Sequence, residues 1–217
     1  MSRKLSLPDS PNMDAPAADG RLFAPSAQRN LPHLIDLVRH HAPRTGKALE
    51  IASGTGEHVT ALAAALPDLS WQPSDPDADR RRSINAHGAG QSNLAEAIAL
   101  NATAKGWSRE HGGQDLILLV NLLHLISTAE AKQLIAETAQ ALAPGGVFIL
   151  YGPFLRDGEA TSEGDQRFHA SLQAQDPEIG YKDDWDVIDW LQGNWLELVQ
   201  VVEMPANNLS FIARRPA

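Results

Sequence analysis

Two glycines, Gly54 and Gly56, stand between a short apolar run at 48–52, which carries Glu50, and a helical pattern that begins at Glu57. A glycine turn in that place lets a ligand come close to the backbone. The dinucleotide fingerprint needs a further glycine three residues on, where Val59 stands, and a Walker loop needs Gly-Lys-Ser or Gly-Lys-Thr, which does not follow. Glu57 adds negative charge at the helix start, where a phosphate would sit. The chemistry that remains is binding of a nucleoside without a phosphate chain. Asp75, at the end of the next apolar segment, can accept hydrogen bonds from both ribose hydroxyls.

Other patterns exclude themselves. Asp75, Asp77 and Asp79 have calcium-loop spacing, but Arg80 occupies the place of the sharp-turn glycine and Ala86 that of the bidentate glutamate. The eight histidines include no His-Glu-x-x-His helix, and there is no cysteine, so no metal site is expected. Arg80-Arg81-Arg82 reads as a solvated helix face.

The elements that must position these residues follow from periodicity. Residues 28–41 space Leu31, Leu34, Ile35 and Val38 as one helix face, with Pro32 in a first turn. Strand, glycine turn and helix follow at 48–52, 53–56 and 57–66. A weaker strand at 71–74 and a helix at 77–87 come next. Residues 95–100 fit strand or helix and are assigned to a strand from context. The run at 115–123 reads as a strand buried on both faces, and 128–142 as a helix capped by Thr128 and stopped by Pro144-Gly145-Gly146. A buried strand at 147–151, a polar insertion at 152–183, a helix at 185–191 and strands at 196–204 and 209–214 complete the pattern. Alternating strands and helices with a terminal hairpin predict an open, Rossmann-like α/β sheet with helices on both faces.

The 217 residues are 43% hydrophobic and 21% charged, which suits one globular domain over 21–217 behind a flexible, Pro- and Ala-rich head at 1–20. A net charge of -9 disfavours nucleic acid and anionic membranes as partners. With no cysteine, no apolar leader and no long apolar run, a cytoplasmic protein is expected.

Glu50-Ile51-Ala52-Ser53-Gly54-Thr55-Gly56 resembles the first motif of class I S-adenosylmethionine-dependent methyltransferases, with Ala52 in place of the first glycine. The stretches Arg29-Asn30, Trp71-Gln72-Pro73-Ser74-Asp75, Asn121-Leu122-Leu123-His124-Leu125-Ile126-Ser127, Gly145-Gly146, Tyr151-Gly152-Pro153-Phe154 and Pro205-Ala206-Asn207-Asn208-Leu209 are together similar to the DUF938, or methyltransferase-like 26, family. The resemblance implies a seven-stranded sheet whose last strand is antiparallel. It implies S-adenosylmethionine as cofactor, with Glu50, Ala52, Gly54 and Gly56 around the methionine part and Asp75 on the ribose. Leu100 and Asn101 would meet the adenine, Asn101 standing where the family has an acidic residue, and Asn121 would lie below the sulfonium.

The family specifies no acceptor, and a small molecule is expected. In-line transfer requires alignment of nucleophile, methyl carbon and sulfur, which can supply about 7 to 11 kcal/mol of the barrier. The first helix, the segment after the fourth strand, the insertion and the final hairpin turn reach one sheet edge. They carry Arg29, Asn30, Asn207 and Asn208 as substrate candidates and His124 and Tyr151 as candidate bases. Two alternatives are a protein that binds S-adenosylmethionine without turnover and an NAD(P)-dependent oxidoreductase, which lacks the third glycine and a Tyr-x-x-x-Lys pair.

Overall fold

In the computed structural model, which describes Leu5, Ala17 and residues 19–217, the apolar runs form the centre of a seven-stranded sheet. The strands are β1 (Gly46–Ile51), β2 (Leu69–Pro73), β3 (Gln114–Val120), β4 (Leu142–Leu155), β5 (Lys182–Asp183), β6 (Glu197–Glu203) and β7 (Asn208–Arg214). They lie in the order β2-β1-β3-β4-β7-β6, with β5 beside β4 off that path. The pairs among β1 to β4 are parallel, while β7 runs antiparallel to both β4 and β6. The expected architecture, with its last strand reversed, is the one observed. The expected head at 1–20 falls, apart from Leu5, Ala17, Asp19 and Gly20, outside the described residues.

Side chains along β3 alternate between two cores. Leu116 and Leu118 pack with Leu34 and Val38 of α1 (Pro25–His41), Val59 and Leu62 of α2 (Glu57–Ala65) and Ile84 of α3 (Ala78–His87). Ile117 and Leu119 face the other way. They pack with Trp107 of α4 (Trp107–Glu110), Leu134 and Ile135 of α5 (Thr128–Ala141) and Leu191 of α7 (Asp184–Gly193). A strand covered on both faces has no polar face to show, which explains its unbroken apolar sequence. Among the described residues no helix is long and apolar enough to cross a membrane.

Several elements differ from the sequence expectation. Residues 95–100 form no regular strand, only a bridge from Ile98 to Ser74, with a second from Leu94 to Trp71 just before them. Side chains engage the backbone of that stretch directly: Asn85 Oδ1 accepts from Ala97 N at 2.8 Å and Gln72 Nε2 donates to Glu96 O at 2.8 Å. The seventh strand is instead the two-residue β5. The first helix starts at Pro25, so Pro25 occupies the first turn and Pro32 lies inside. Ser127, not Thr128, caps α5, in a reciprocal box with Glu130. The polar insertion contains α6 (Glu163–Gln175), whose only fully covered residue is Leu172. That leucine joins Ile179 and Tyr181 in a small third cluster, against which Leu5, Leu125, Leu155 and Phe168 pack.

Candidate active site

A cavity of about 430 Å³ opens where β1 and β3 end, between α1 and α6. Its floor is the turn after β1 and the residue after β3, and both contain left-handed backbone. Ala52 has φ 54° and Asn121 has φ 55°. Asparagine tolerates that region, while an alanine there costs roughly 1–2 kcal/mol, a strain held by the surrounding sheet. Ala52, Gly54 and Asn121 all line the cavity.

The two glycines of the turn differ. A Cβ built on Gly54 (φ 60°) would meet nothing nearer than Ala52 O at 4.0 Å, so its open side belongs to the cavity. A Cβ on Gly56 (φ 95°) would stand 2.6 Å from Ile84 Cα. Gly56 thus serves the approach of α2 to α3 and is not part of the cavity wall. Glu57 likewise is engaged in structure: its Oε2 accepts from Ala24 N at 2.8 Å and from the Thr55 hydroxyl at 2.9 Å.

Glu50 lines the cavity although its residue is only 1% exposed. Its Oε2 has no hydrogen-bond partner among the described residues. Burial pushes its carboxyl up to about 7, opposed by a hydrogen bond from Ser53 and reinforced by the charge of Asp75. Asp75 is buried beside it, outside the cavity lining. Its Oδ2 accepts from Gly54 N at 3.1 Å and its Oδ1 from Asp77 N at 2.9 Å, which leaves two of its lone pairs uncommitted. Burial raises its pKa against these bonds and the charge of Arg80, whose guanidinium stands 3.8 Å away and borders the cavity.

The expected adenine pair is not brought into the cavity. Leu100 is packed in the core, and Asn101 turns its Oδ1 to Thr103, accepting from N at 3.1 Å and from the hydroxyl at 2.8 Å.

Toward the β4–β7 side, His124 after β3 and Asn208 at the start of β7 line the cavity, as do Arg29 and Asn30 from α1. Tyr151 and Asn207 do not reach the cavity lining. Tyr151, 1% exposed, points into the α1 side core, where its hydroxyl accepts from Asn208 Nδ2 at 3.2 Å. Burial pushes that hydroxyl up to about 12, against the bond from Asn208. His124 is held in an aromatic cluster, and burial together with the Lys182 charge lowers its pKa to about 3. Near neutral pH both groups are therefore in their neutral forms, His124 unprotonated and Tyr151 protonated.

Asp165, Phe168 and Tyr181, all from the insertion, complete this end and escaped the sequence reading. One signal was available: Phe168 and Tyr181 are aromatic residues in a polar stretch, and the chain has only two tyrosines. His58 was also missed. It lines the cavity, with Nε2 3.2 Å from Ala27 O, and burial lowers its pKa.

A family model described as "Protein of unknown function (DUF938)" matches residues 21–215. Among solved structures, the chain is similar to an O-methyltransferase family protein from Burkholderia thailandensis, with a TM-score of 0.73 at 16% identity, covering 88% of this chain and 57% of that one. It is similar to an O-methyltransferase family 2 protein from Planctomyces limnophilus in complex with apigenin, with a TM-score of 0.75 at 18% identity, covering 88% and 58%. Human N-acetylserotonin methyltransferase in complex with SAM gives 0.71 at 14% identity, covering 88% and 52%. The likeness is one of fold, and this chain spans little more than half the length of those proteins.

Proposed function

This chain belongs to the DUF938 family, and from that membership, the fold and the cavity we propose that it is an S-adenosylmethionine-dependent methyltransferase acting on a small-molecule acceptor by direct in-line transfer. The observation that carries the reading is Glu50: a buried carboxylate with an unpartnered oxygen on a cavity wall calls for a cationic occupant. The ammonium of a methionine moiety meets that demand. Gly54 beside it keeps the wall free of a side chain. A solved protein of this fold in complex with SAM supports the same assignment.

When bound, S-adenosylmethionine supplies a methyl group on a sulfonium, and the thioether leaves neutral, so no acid is needed at the leaving group. In this proposal Glu50 accepts from the ammonium, and Ala52, Gly54 and Asn121 shape the floor under the methionine chain. Asp75 receives the ribose hydroxyls on its uncommitted lone pairs once Arg80 turns aside. Asn101 borders the adenine after releasing Thr103, with Leu100 packed in the core behind it. Gly56 acts on the site only by setting the seat of α2. Arg29, Asn30 and Asn208 touch the acceptor, while Tyr151 positions Asn208 and Asn207 positions Asp165. In this proposal the chain's own contribution to rate is alignment and exclusion of water, with His124 and Tyr151 neutral near pH 7.

Calorimetric titration with S-adenosylhomocysteine tests the reading. Binding to the wild type is expected, with affinity reduced at least tenfold in Glu50→Gln. Absence of binding, with thermal stabilisation by a nicotinamide cofactor instead, would overturn it. Binding with no turnover of S-adenosylmethionine in a metabolite extract would leave a sensor in place of an enzyme.

A further inference from the structure

Two residues of the cavity lining, Asn208 and Asp165, offer hydrogen-bond acceptors. Asn208 spends both amide hydrogens inside the fold, one on the Tyr151 hydroxyl at 3.2 Å and one on Pro205 O at 2.9 Å. The second bond settles which end of the amide is nitrogen, because an oxygen there would face an oxygen. What Asn208 has left is Oδ1. Asp165 is acceptor-only as a carboxylate, and its partners are all neutral: the Tyr181 hydroxyl at 3.2 Å, Asn207 Nδ2 at 2.9 Å and the Ser162 hydroxyl at 2.6 Å. No cation pairs with it among the described residues, and at least one lone pair of Oδ1 stays open.

Beside this carboxylate stand three rings. His124, Phe168 and Tyr181 sit edge to face around one another at 5.8 to 6.0 Å between centroids, and all three border the cavity. His124 adds no positive charge, because burial and Lys182 keep it neutral. Ring faces attract cations, and an uncompensated carboxylate next to them attracts the same ligand more strongly. A phenol or alcohol would satisfy the hydrogen bonds but not the charge.

Resting on the methyltransferase reading of the same cavity, we propose that the acceptor carries a basic amine, bound as its ammonium by Asp165 against the ring wall of His124, Phe168 and Tyr181. Asn208 Oδ1 takes a second hydrogen from the acceptor. The ammonium is the handle of recognition. A protonated nitrogen has no lone pair, so the methyl goes to another atom of the same molecule.

Three probes with one ring and different end groups test this: phenethylamine, 2-phenylethanol and phenylacetate, titrated by ligand-observed NMR into protein loaded with S-adenosylhomocysteine. Phenethylamine is expected to bind at least fivefold more tightly than either of the others, and Asp165→Asn is expected to erase the difference. Ser162→Ala disturbs the same helix start while keeping the carboxylate, and should retain the amine preference. Equal or tighter binding of 2-phenylethanol or phenylacetate would overturn the proposal, as would no binding of any probe or an amine preference that survives in Asp165→Asn. The same titrations on the unloaded protein keep the two readings apart. Failure of S-adenosylhomocysteine to bind strikes the methyltransferase reading, whereas loss of the amine preference strikes only the acceptor.

Discussion

The Tyr151 hydroxyl and the Asn208 amide, 57 residues apart, meet at 3.2 Å across the β4–β7 pair, so a fully covered tyrosine sets the orientation of a residue on the cavity wall.

Removing that contact should act on the acceptor and leave the cofactor alone. Tyr151→Phe strips one partner from a buried amide hydrogen, a loss of about 1–3 kcal/mol in stability. It should lower kcat/KM for the acceptor several-fold. Arg29→Ala and Asn208→Ala should lower it by tenfold or more. Affinity for S-adenosylhomocysteine should stay within twofold in all three, as calorimetry can verify. A parallel fall in cofactor affinity would mean that these residues sit at the wrong end.

The glycine turn makes two separable predictions. Gly54→Ala places a methyl group in the cavity at φ 60° and should cost about 1 kcal/mol of stability while weakening cofactor binding. Gly56→Ala drives its methyl into the Ile84 backbone and should cost more, about 2–4 kcal/mol, seen as a lower chemical-denaturation midpoint. Equal stability losses would contradict the division of roles.

Glu50 links function to pH with a definite sign. Its folded pKa of about 7 lies above the ordinary 4.5, so the neutral form favours folding. The contribution is full below pH 4.5 and is lost as pH rises through about 7, amounting to roughly 3 kcal/mol once the group is ionised. Glu50→Gln should therefore be more stable than the wild type at pH 8 and no more stable at pH 4, measured by urea unfolding. Cofactor affinity should run the other way, declining in the wild type below pH 7 as the carboxylate is protonated. An identical pH profile in Glu50→Gln would separate Glu50 from the ligand.

Asp75→Ala should weaken S-adenosylhomocysteine at least threefold, and it also frees the amides of Gly54 and Asp77. Asp75→Asn keeps the shape and offers one oxygen, so its stability loss should be smaller while the affinity loss persists. Unchanged affinity in both folded variants would place the ribose elsewhere.

Much of this site was legible because its residues follow strands. Glu50, Gly54 and Asn121 fall at the ends of apolar runs, and a run buried on both faces announces itself without any long-range information. Tyr151 misled for the same reason. A strand-end residue points to one of two sides, and only packing decided that this one faces α1 and Asn208. The stretch 95–100 fits strand or helix by content and is assigned to a strand from context alone, but Asn85 and Gln72 hold its backbone through side-chain hydrogen bonds that no periodicity reveals. Asp165, Phe168 and Tyr181 reach the cavity because α6 folds back over it, pinned by Asp165 to Asn207, 42 residues away. A helix with one fully covered side chain leaves almost no amphipathic trace in sequence.

The position of β7 bears on how the protein is made. Residues 208–214 fill the slot between β4 and β6, although they are synthesised after both. Until they leave the ribosome, the sheet is split, β4 presents an open edge, and the cavity lacks its Asn208 wall. Chains not yet extended through β7 are thus exposed to mispairing at that edge, and the Asn208 wall arrives in one step with β7 instead of growing with the chain.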